Sequence, residues 1–297
     1  MDTIKQDHLI ERAAARLRSP IIRPESPPGP IADEKPVLQG LTSRTKTRTQ
    51  QSDLSARPPI ALEKLAEAHL IDWGDAYSRA AEEFRIIKNR ILRQIDEMNS
   101  AGARNLVMVT SARKGEGKSF TAINLAGELA RQHDRRVLLV DADPKAGGLR
   151  QQLGVSDARG LLDLVRSETP RPNLTDLILP TEVAFLDFLP LGADARASGE
   201  LFASKAMTEC LIELGRRNPD RLIMFDAPPC LASSIPHTLA ASVGQIVLIV
   251  AAGSTQQADI EAALELVQIC PQTSLLLNKI PAWSTHSFGS YGYLAAA

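Results

Sequence analysis

Lysine, hydroxyl and carboxylate side chains stand in this sequence where short apolar runs end. The run "NLVMVTS" passes directly into "SARKGEGKSFTAINLAGELA". Gly115 and Gly117 let the backbone curl so that successive N–H groups point inward. Lys118 supplies a point charge suited to β- and γ-phosphates. Ser119 can ligate Mg²⁺ while it opens a helix whose positive end faces an anion. The strict phosphate-loop pattern G-x-x-x-x-G-K-[ST] asks for glycine at 112, where this chain has Ala112. A glycine-rich turn without a ligand is the competing reading. Strand, "GEGKS" and helix in that order favour a nucleotide, held by Arg113, Lys114, Gly115, Glu116, Gly117, Lys118, Ser119 and Phe120.

A second apolar run ends in "VDADPK", with Asp141 and Asp143, and a third in "MFDAPP", with Asp226. Carboxylates gathered at adjoining strand ends are costly unless they meet a cation. A nucleotide–Mg²⁺ complex supplies one. Asp226, closing an apolar strand, could hold the metal through water. Asp141 could ligate Mg²⁺ directly or accept a proton from an attacking hydroxyl. Helix capping or a turn is the competing reading for Asp143, which precedes Pro144. Asn278 ends "LLLNKIP", where an amide could read a purine edge or simply close a turn. The five histidines do not cluster, and Cys210, Cys230 and Cys270 show no metal or redox spacing.

These residues need a scaffold. Six runs read as strands: "NLVMVTS", "RVLLVDAD", "AFLDFLPL", "RLIMFDAPP", "QIVLIVAA" and "TSLLLNK". Most are continuous rather than alternating, which suits strands covered on both faces. Helical stretches lie between them. The expected fold is α/β, a doubly wound, mainly parallel sheet in a three-layer domain, with its ligand crevice at the carboxyl ends of the strands. Ahead of it, "DAYSRAAEEFRIIKNRILRQIDEMN" predicts a long helix with Phe84, Ile87, Ile91, Ile95 and Met98 on one stripe. Residues 1–18 hold a short amphipathic helix with Ile10, Ala13, Ala14 and Leu17 on one face. Residues 19–75 are proline-rich and then polar, and read as a largely disordered linker forming a flexible N-terminal extension. The nucleotide domain spans 76–280 and a Tyr-containing tail 281–297.

Bulk composition excludes some classes. The 297-residue chain is 44% hydrophobic and carries a formal net charge of -1, so no global field favours nucleic acid or anionic lipid. Its longest apolar run is too short to span a bilayer. The first residues carry acids and no apolar core, unlike a secretion signal. A cytoplasmic protein is expected.

"SARKGEGKS", "LLVDADPK" and "LIMFDAPP" together resemble the deviant-Walker P-loop ATPases, a superfamily of partition and positioning ATPases and bacterial tyrosine kinases. The three segments correspond to its Walker A, Walker A′ and Walker B motifs. "EEFRIIK" is similar to the kinases' E-x-x-R-x-x-R oligomerisation motif, with Glu82 and Arg85 matching and Lys88 where arginine is usual. Partition ATPases carry a signature lysine where this chain has Arg113. The tail "SFGSYGYLAAA" is similar to the kinases' tyrosine cluster, and the early "IERAAARL" extends the likeness to free-standing autokinases of exopolysaccharide loci. The chain departs from the kinases at Lys114, where proline is common, and at Pro144 and Lys145, where their motif runs to an arginine.

The resemblance implies an ATP- and Mg²⁺-dependent protein-tyrosine kinase that phosphorylates its own tail in trans at Tyr291 and Tyr293. Lys118, Asp141 and Asp143 would be catalytic, and Ser119, Asp141 and Asp226 would hold the metal. Glu82, Arg85 and Lys88 would join subunits of a homo-oligomer, with an ordinary charged helix face as the alternative. A membrane polysaccharide copolymerase would recruit and activate the chain at the inner membrane face, a tyrosine phosphatase would oppose it, and exopolysaccharide assembly and export would be the regulated process. The rival is a positioning-type ATPase that dimerises around ATP without forming phosphotyrosine.

Overall fold

The structure, a computed structural model, describes residues 58–71, 79–98, 104–131, 135–166 and 172–281. These all belong to one compact unit, Gln50–Ala297. The amphipathic helix expected over 1–18 and the tail with Tyr291 and Tyr293 lie outside the described residues.

All six expected strands form: β1 (Leu106–Ser111), β2 (Arg136–Asp141), β4 (Leu186–Leu189), β5 (Arg221–Asp226), β6 (Gln245–Ala251) and β7 (Gln272–Asn278). A two-residue β3 (Leu179–Pro180) adds an antiparallel edge that sequence reasoning missed. Two residues are too few to show any periodicity. The sheet order is β3-β4-β2-β5-β1-β6-β7, and every pairing except β3–β4 is parallel. β1 is fully buried and has β5 on one side and β6 on the other, so the strand order reverses there. That reversal opens the crevice in which doubly wound sheets bind ligands.

Successive residues of each inner strand face opposite sides. Val107, Val109, Val137, Leu139, Met224 and Ile249 pack with α1 (Leu62–Glu67), α2 (Arg79–Glu97) and α3 (Lys118–Ala130). Leu106, Met108, Leu138, Val140, Phe225 and Leu248 join α6 (Lys205–Arg217), α7 (Ile235–Ala240) and α8 (Gln257–Val267). Between β2 and β4 lies α4 (Leu149–Gln152), and α5 (Ser198–Phe202) precedes α6.

The long helix α2 forms as expected, and its buried stripe is Ala81, Phe84, Lys88, Ile91 and Ile95. Ile87 and Met98 are only half-buried. A lysine thus holds a position on the inner face.

The linker expected over 19–75 stops short of its assigned end. Residues 58–71 pack on the domain because Ile60, Leu65, Ala68 and Leu70 give them apolar side chains to bury. Ile60 donates its N–H to Pro180 O at 2.8 Å, and Asn124 of α3 bonds both Ile71 N and His69 O.

Candidate functional site

The carboxyl ends of β1, β2, β5 and β7 bring the chemistry together. β1 runs out at Ser111, and the loop that follows turns through two left-handed glycines, Gly115 (φ +83°) and Gly117 (φ +98°). Only glycine takes these angles without strain. α3 then starts at Lys118, so the positive end of a helix follows directly on the loop.

Three straps hold the loop in shape. Glu116 is 4% exposed; its carboxylate accepts from Arg113 N at 2.8 Å and from the Thr255 hydroxyl. Asn278 donates to Glu116 O at 2.9 Å, and its amide lies against Gly117 so closely that a Cβ there would stand 2.1 Å from Nδ2. Lys279 Nζ donates to Gly115 O at 2.6 Å. The Asn278 side chain therefore serves the loop itself in this state. Arg113 turns outward: its guanidinium makes two bonds to Asp259 of α8, at 2.6 and 2.8 Å. Lys114 is exposed. Phe120 is 36% exposed and lies beside Phe84, ring centroids 6.0 Å apart.

The acids converge by register. β2 and β5 are adjacent, and Asp141 sits directly opposite Asp226. Both are fully buried. Like charges paired across strands repel, so the arrangement asks for a cation. Lys118 answers in part: Nζ lies 2.6 Å from Asp143 Oδ2, 3.1 Å from Ser119 Oγ and 3.7 Å from Asp226 Oδ1. The last distance is an ion pair, too long for a hydrogen bond. By distance and angle neither Asp226 oxygen has a hydrogen-bond partner, although the Ser119 hydroxyl and the Lys118 ammonium are near enough to pull its pKa down against burial. Asp143 Oδ1 also accepts from Lys145 N at 3.1 Å, so the turn expected at Asp143 and its charge partnership coexist.

Burial, then the Asp226 charge, pushes the Asp141 carboxyl up to about 7, against the pull of Arg150 and the Asp143 amide. Burial also raises Asp226, with Lys118 opposing it. Burial pulls the Lys118 ammonium down, but Asp226 and Asp143 outweigh it and leave its pKa above the ordinary lysine value.

Sequence reasoning missed Arg150. Its side chain is 5% exposed and donates to Asp141 Oδ2 at 3.1 Å, Asp143 O at 2.9 Å and Pro144 O at 3.1 Å. It stands nine residues beyond Asp141, on a helix of four, and no periodicity ties the two. Glu82, Arg85 and Lys88 stand on α2. Arg85 pairs with Glu82 on its own helix, and Lys88 Nζ bonds Glu128 Oε1 of α3 at 2.9 Å. Within the chain α2 turns Lys88, expected at a subunit interface, inward against the buried Glu128.

Residues 107–273 match the CobQ/CobB/MinD/ParA nucleotide binding domain. The chain belongs to this family. Within the nucleotide binding domain family it is 29% identical over 231 residues to "Tyrosine-protein kinase YwqD" of Bacillus subtilis, covering 76% of this chain and 92% of YwqD. It is 36% identical over 152 residues to EpsB of Ralstonia solanacearum, covering 51% of this chain but only 19% of EpsB. The chain thus spans about a fifth of the length of that relative. Among solved structures, the kinase domain of Escherichia coli tyrosine kinase ETK shares the fold at a TM-score of 0.56 and 25% identity, covering 69% of this chain and 78% of that one. Among the described residues no helix is long and apolar enough to cross a membrane.

For a nucleotide with Mg²⁺, the residues fit. The loop is wound for an anion, and Asp226 is a buried carboxylate with no hydrogen-bond donor of its own. Among the described residues no group of three or more His, Cys, Asp or Glu side chains could hold a metal by themselves. A divalent ion here would therefore draw ligands from the nucleotide and water as well, as Mg²⁺ in such sites does.

Proposed function

We propose that this chain is an ATP- and Mg²⁺-dependent protein-tyrosine autokinase that phosphorylates Tyr291 and Tyr293 of a neighbouring copy. The observation that carries the reading is the buried pair Asp141 and Asp226 beside Lys118, at the end of a loop wound for phosphates. The similarity to the tyrosine kinases YwqD and ETK favours the kinase over a positioning-type ATPase. The bidentate bond from Arg113 to Asp259 supports the same choice, since it occupies the side chain that would otherwise be available to a partner's phosphates.

Bound Mg-ATP supplies the transferable phosphoryl group and the cation that offsets its charge. Lys118 and the amides of 115–119 bind the phosphates. Ser119, Asp141 and Asp226 hold Mg²⁺. A tyrosine hydroxyl has a pKa of about 10. Asp141 accepts its proton as the hydroxyl attacks. Asp143 keeps Lys118 oriented. Each added phosphate brings about -1.5 to -2 charges, which loosens a homo-oligomer whose tails enter one another's sites. Glu82 and Arg85 serve that contact. The proposed setting is the cytoplasmic face of the membrane, where a polysaccharide copolymerase activates the chain, a phosphatase resets it, and exopolysaccharide export is regulated.

Purified protein is incubated with Mg-ATP and a cytoplasmic fragment of the copolymerase, and phosphotyrosine is read by mass spectrometry. Wild type labels Tyr291 or Tyr293, and Lys118→Met does not. Mixing Lys118→Met with a Tyr291→Phe/Tyr293→Phe chain restores label on the former. ATP turnover without tail phosphate would falsify the kinase reading in favour of the ATPase switch.

A further inference from the structure

The turn after β2 carries a cation that neither the phosphate loop nor the strand ends account for. Lys145, in the segment where the kinases' motif has arginine, is exposed. Arg150 lies beneath the same turn with its guanidinium enclosed. One terminal nitrogen meets Asp141 Oδ2 at 3.1 Å and Asp143 O at 2.9 Å, while the other meets Pro144 O at 3.1 Å. The other oxygen of Asp141, Oδ1, accepts from Asp143 N at 3.0 Å. Both carboxylate oxygens are therefore fixed, one by a buried cation and one by the turn that the same cation holds.

We propose that Arg150 is a positioning residue for phosphoryl transfer: it locks the Asp141 carboxylate and the Asp143–Pro144 turn into one rigid unit. The inference rests on the nucleotide-dependent activity proposed above. Two properties of arginine make the lock. Its planar fork reaches several acceptors at once, which an ammonium cannot do. Charge-assisted bonds to a buried carboxylate are also stronger than neutral ones. A carboxylate has about four lone-pair sites, so two bound donors leave Asp141 capacity for a metal or a proton while removing its freedom to rotate. Lys118 depends on the same unit, since its 2.6 Å bond goes to Asp143. The hydrogen bonds of Arg150 go to Asp141, Asp143 and Pro144, so it acts on the acids and their turn.

The test compares Arg150→Gln, Arg150→Lys and the exposed control Lys145→Gln. Amide exchange is read first, on the protein without nucleotide. In Arg150→Gln the amides of 143 and 145 exchange at least about tenfold faster, while those inside β2 do not change. Turnover is then read twice, as phosphate released from ATP and as phosphotyrosine. Arg150→Gln lowers kcat about 100-fold and shifts KM for ATP less than about threefold. Arg150→Lys recovers roughly tenfold, and Lys145→Gln matches wild type. Unchanged exchange at 143 and 145 overturns the proposal whatever the activity. So does a kcat within threefold of wild type, or a loss that simply tracks the folded fraction and that lysine does not rescue. Should Arg150→Gln fail to fold, Arg150→Lys decides: an intact fold with kcat about tenfold down and KM unchanged supports the lock, and wild-type kcat removes it. Phosphate release without phosphotyrosine sinks the kinase reading but leaves Arg150 to be judged on phosphate release.

Discussion

At the residue scale the site is defined by charges kept where they are unstable. Asp226 is fully buried, and neither of its oxygens has a hydrogen-bond donor. A buried polar group without a partner costs about 1–3 kcal/mol, and a charged one more. Asp226→Asn removes that charge with little change of shape, so the empty protein should stay folded, while nucleotide turnover is abolished. Calorimetry without ligand checks the first half and phosphate release the second. Asp141 gives a pH dependence. Its carboxyl is raised from 3.8 to about 7 in the folded, empty protein. Between those values the folded chain keeps a proton that the unfolded chain has released. The contribution is fully present below about pH 4 and lost as pH rises through about 7. The unfolding free energy of wild type minus that of Asp141→Asn should fall between pH 4.5 and 7.5; a flat difference would contradict it.

At the scale of elements, α2 and α3 are joined by an ion pair that the amphipathic pattern hides. Lys88 and Glu128 have side chains only 11% and 6% exposed. Removing one partner leaves a buried charge and costs about 3–5 kcal/mol. Lys88→Met and Glu128→Leu should each destabilise by that order in urea titration. The double variant should recover most of the loss, because packed apolar groups replace a buried pair at little cost. The phosphate loop makes a second prediction. A Cβ at Gly117 would meet Asn278 Nδ2, and a side chain at φ +98° carries about 1–2 kcal/mol of strain. Gly117→Ala should weaken nucleotide affinity at least tenfold in a fluorescent-analogue titration. Adding Asn278→Ala removes the clash but not the strain, so affinity should return only in part.

At the scale of the molecule, the segment 58–71 closes one layer over α3 and the β3 edge. A chain beginning at 58 keeps the burial of Ile60, Leu65 and Leu70 and the Asn124 bonds to His69 O and Ile71 N. A chain beginning at 72 loses them all. The second should be less stable than the first, by at most about 4.5–9 kcal/mol, given about 1.5–3 kcal/mol for each of the three buried aliphatic side chains, as measured by chemical denaturation. Equal stability would mean that the segment is an ornament on the fold.

The order of strand, "GEGKS" and helix, and the acids closing two apolar runs, were legible from residues alone, because each depends on near neighbours in the chain. So was the doubly wound sheet, since continuous apolar runs alternating with helices leave few other arrangements. The facing of Asp141 and Asp226 was not legible: it follows from the parallel register of β2 against β5, whose paired residues lie 85 positions apart in the chain (226 − 141) and meet only in the sheet. Lys88 reads as a surface charge until α2 packs and turns it onto Glu128. Arg150 carries no spacing signal, and its partners are a carboxylate and two carbonyls that a tight turn brings within reach. Sequence by itself determined which lysine, hydroxyl and carboxylate groups close the strands of this protein. Tertiary structure decided which of them are buried together, and burial is what turns ordinary acids and bases into a strained site that a cation would relieve.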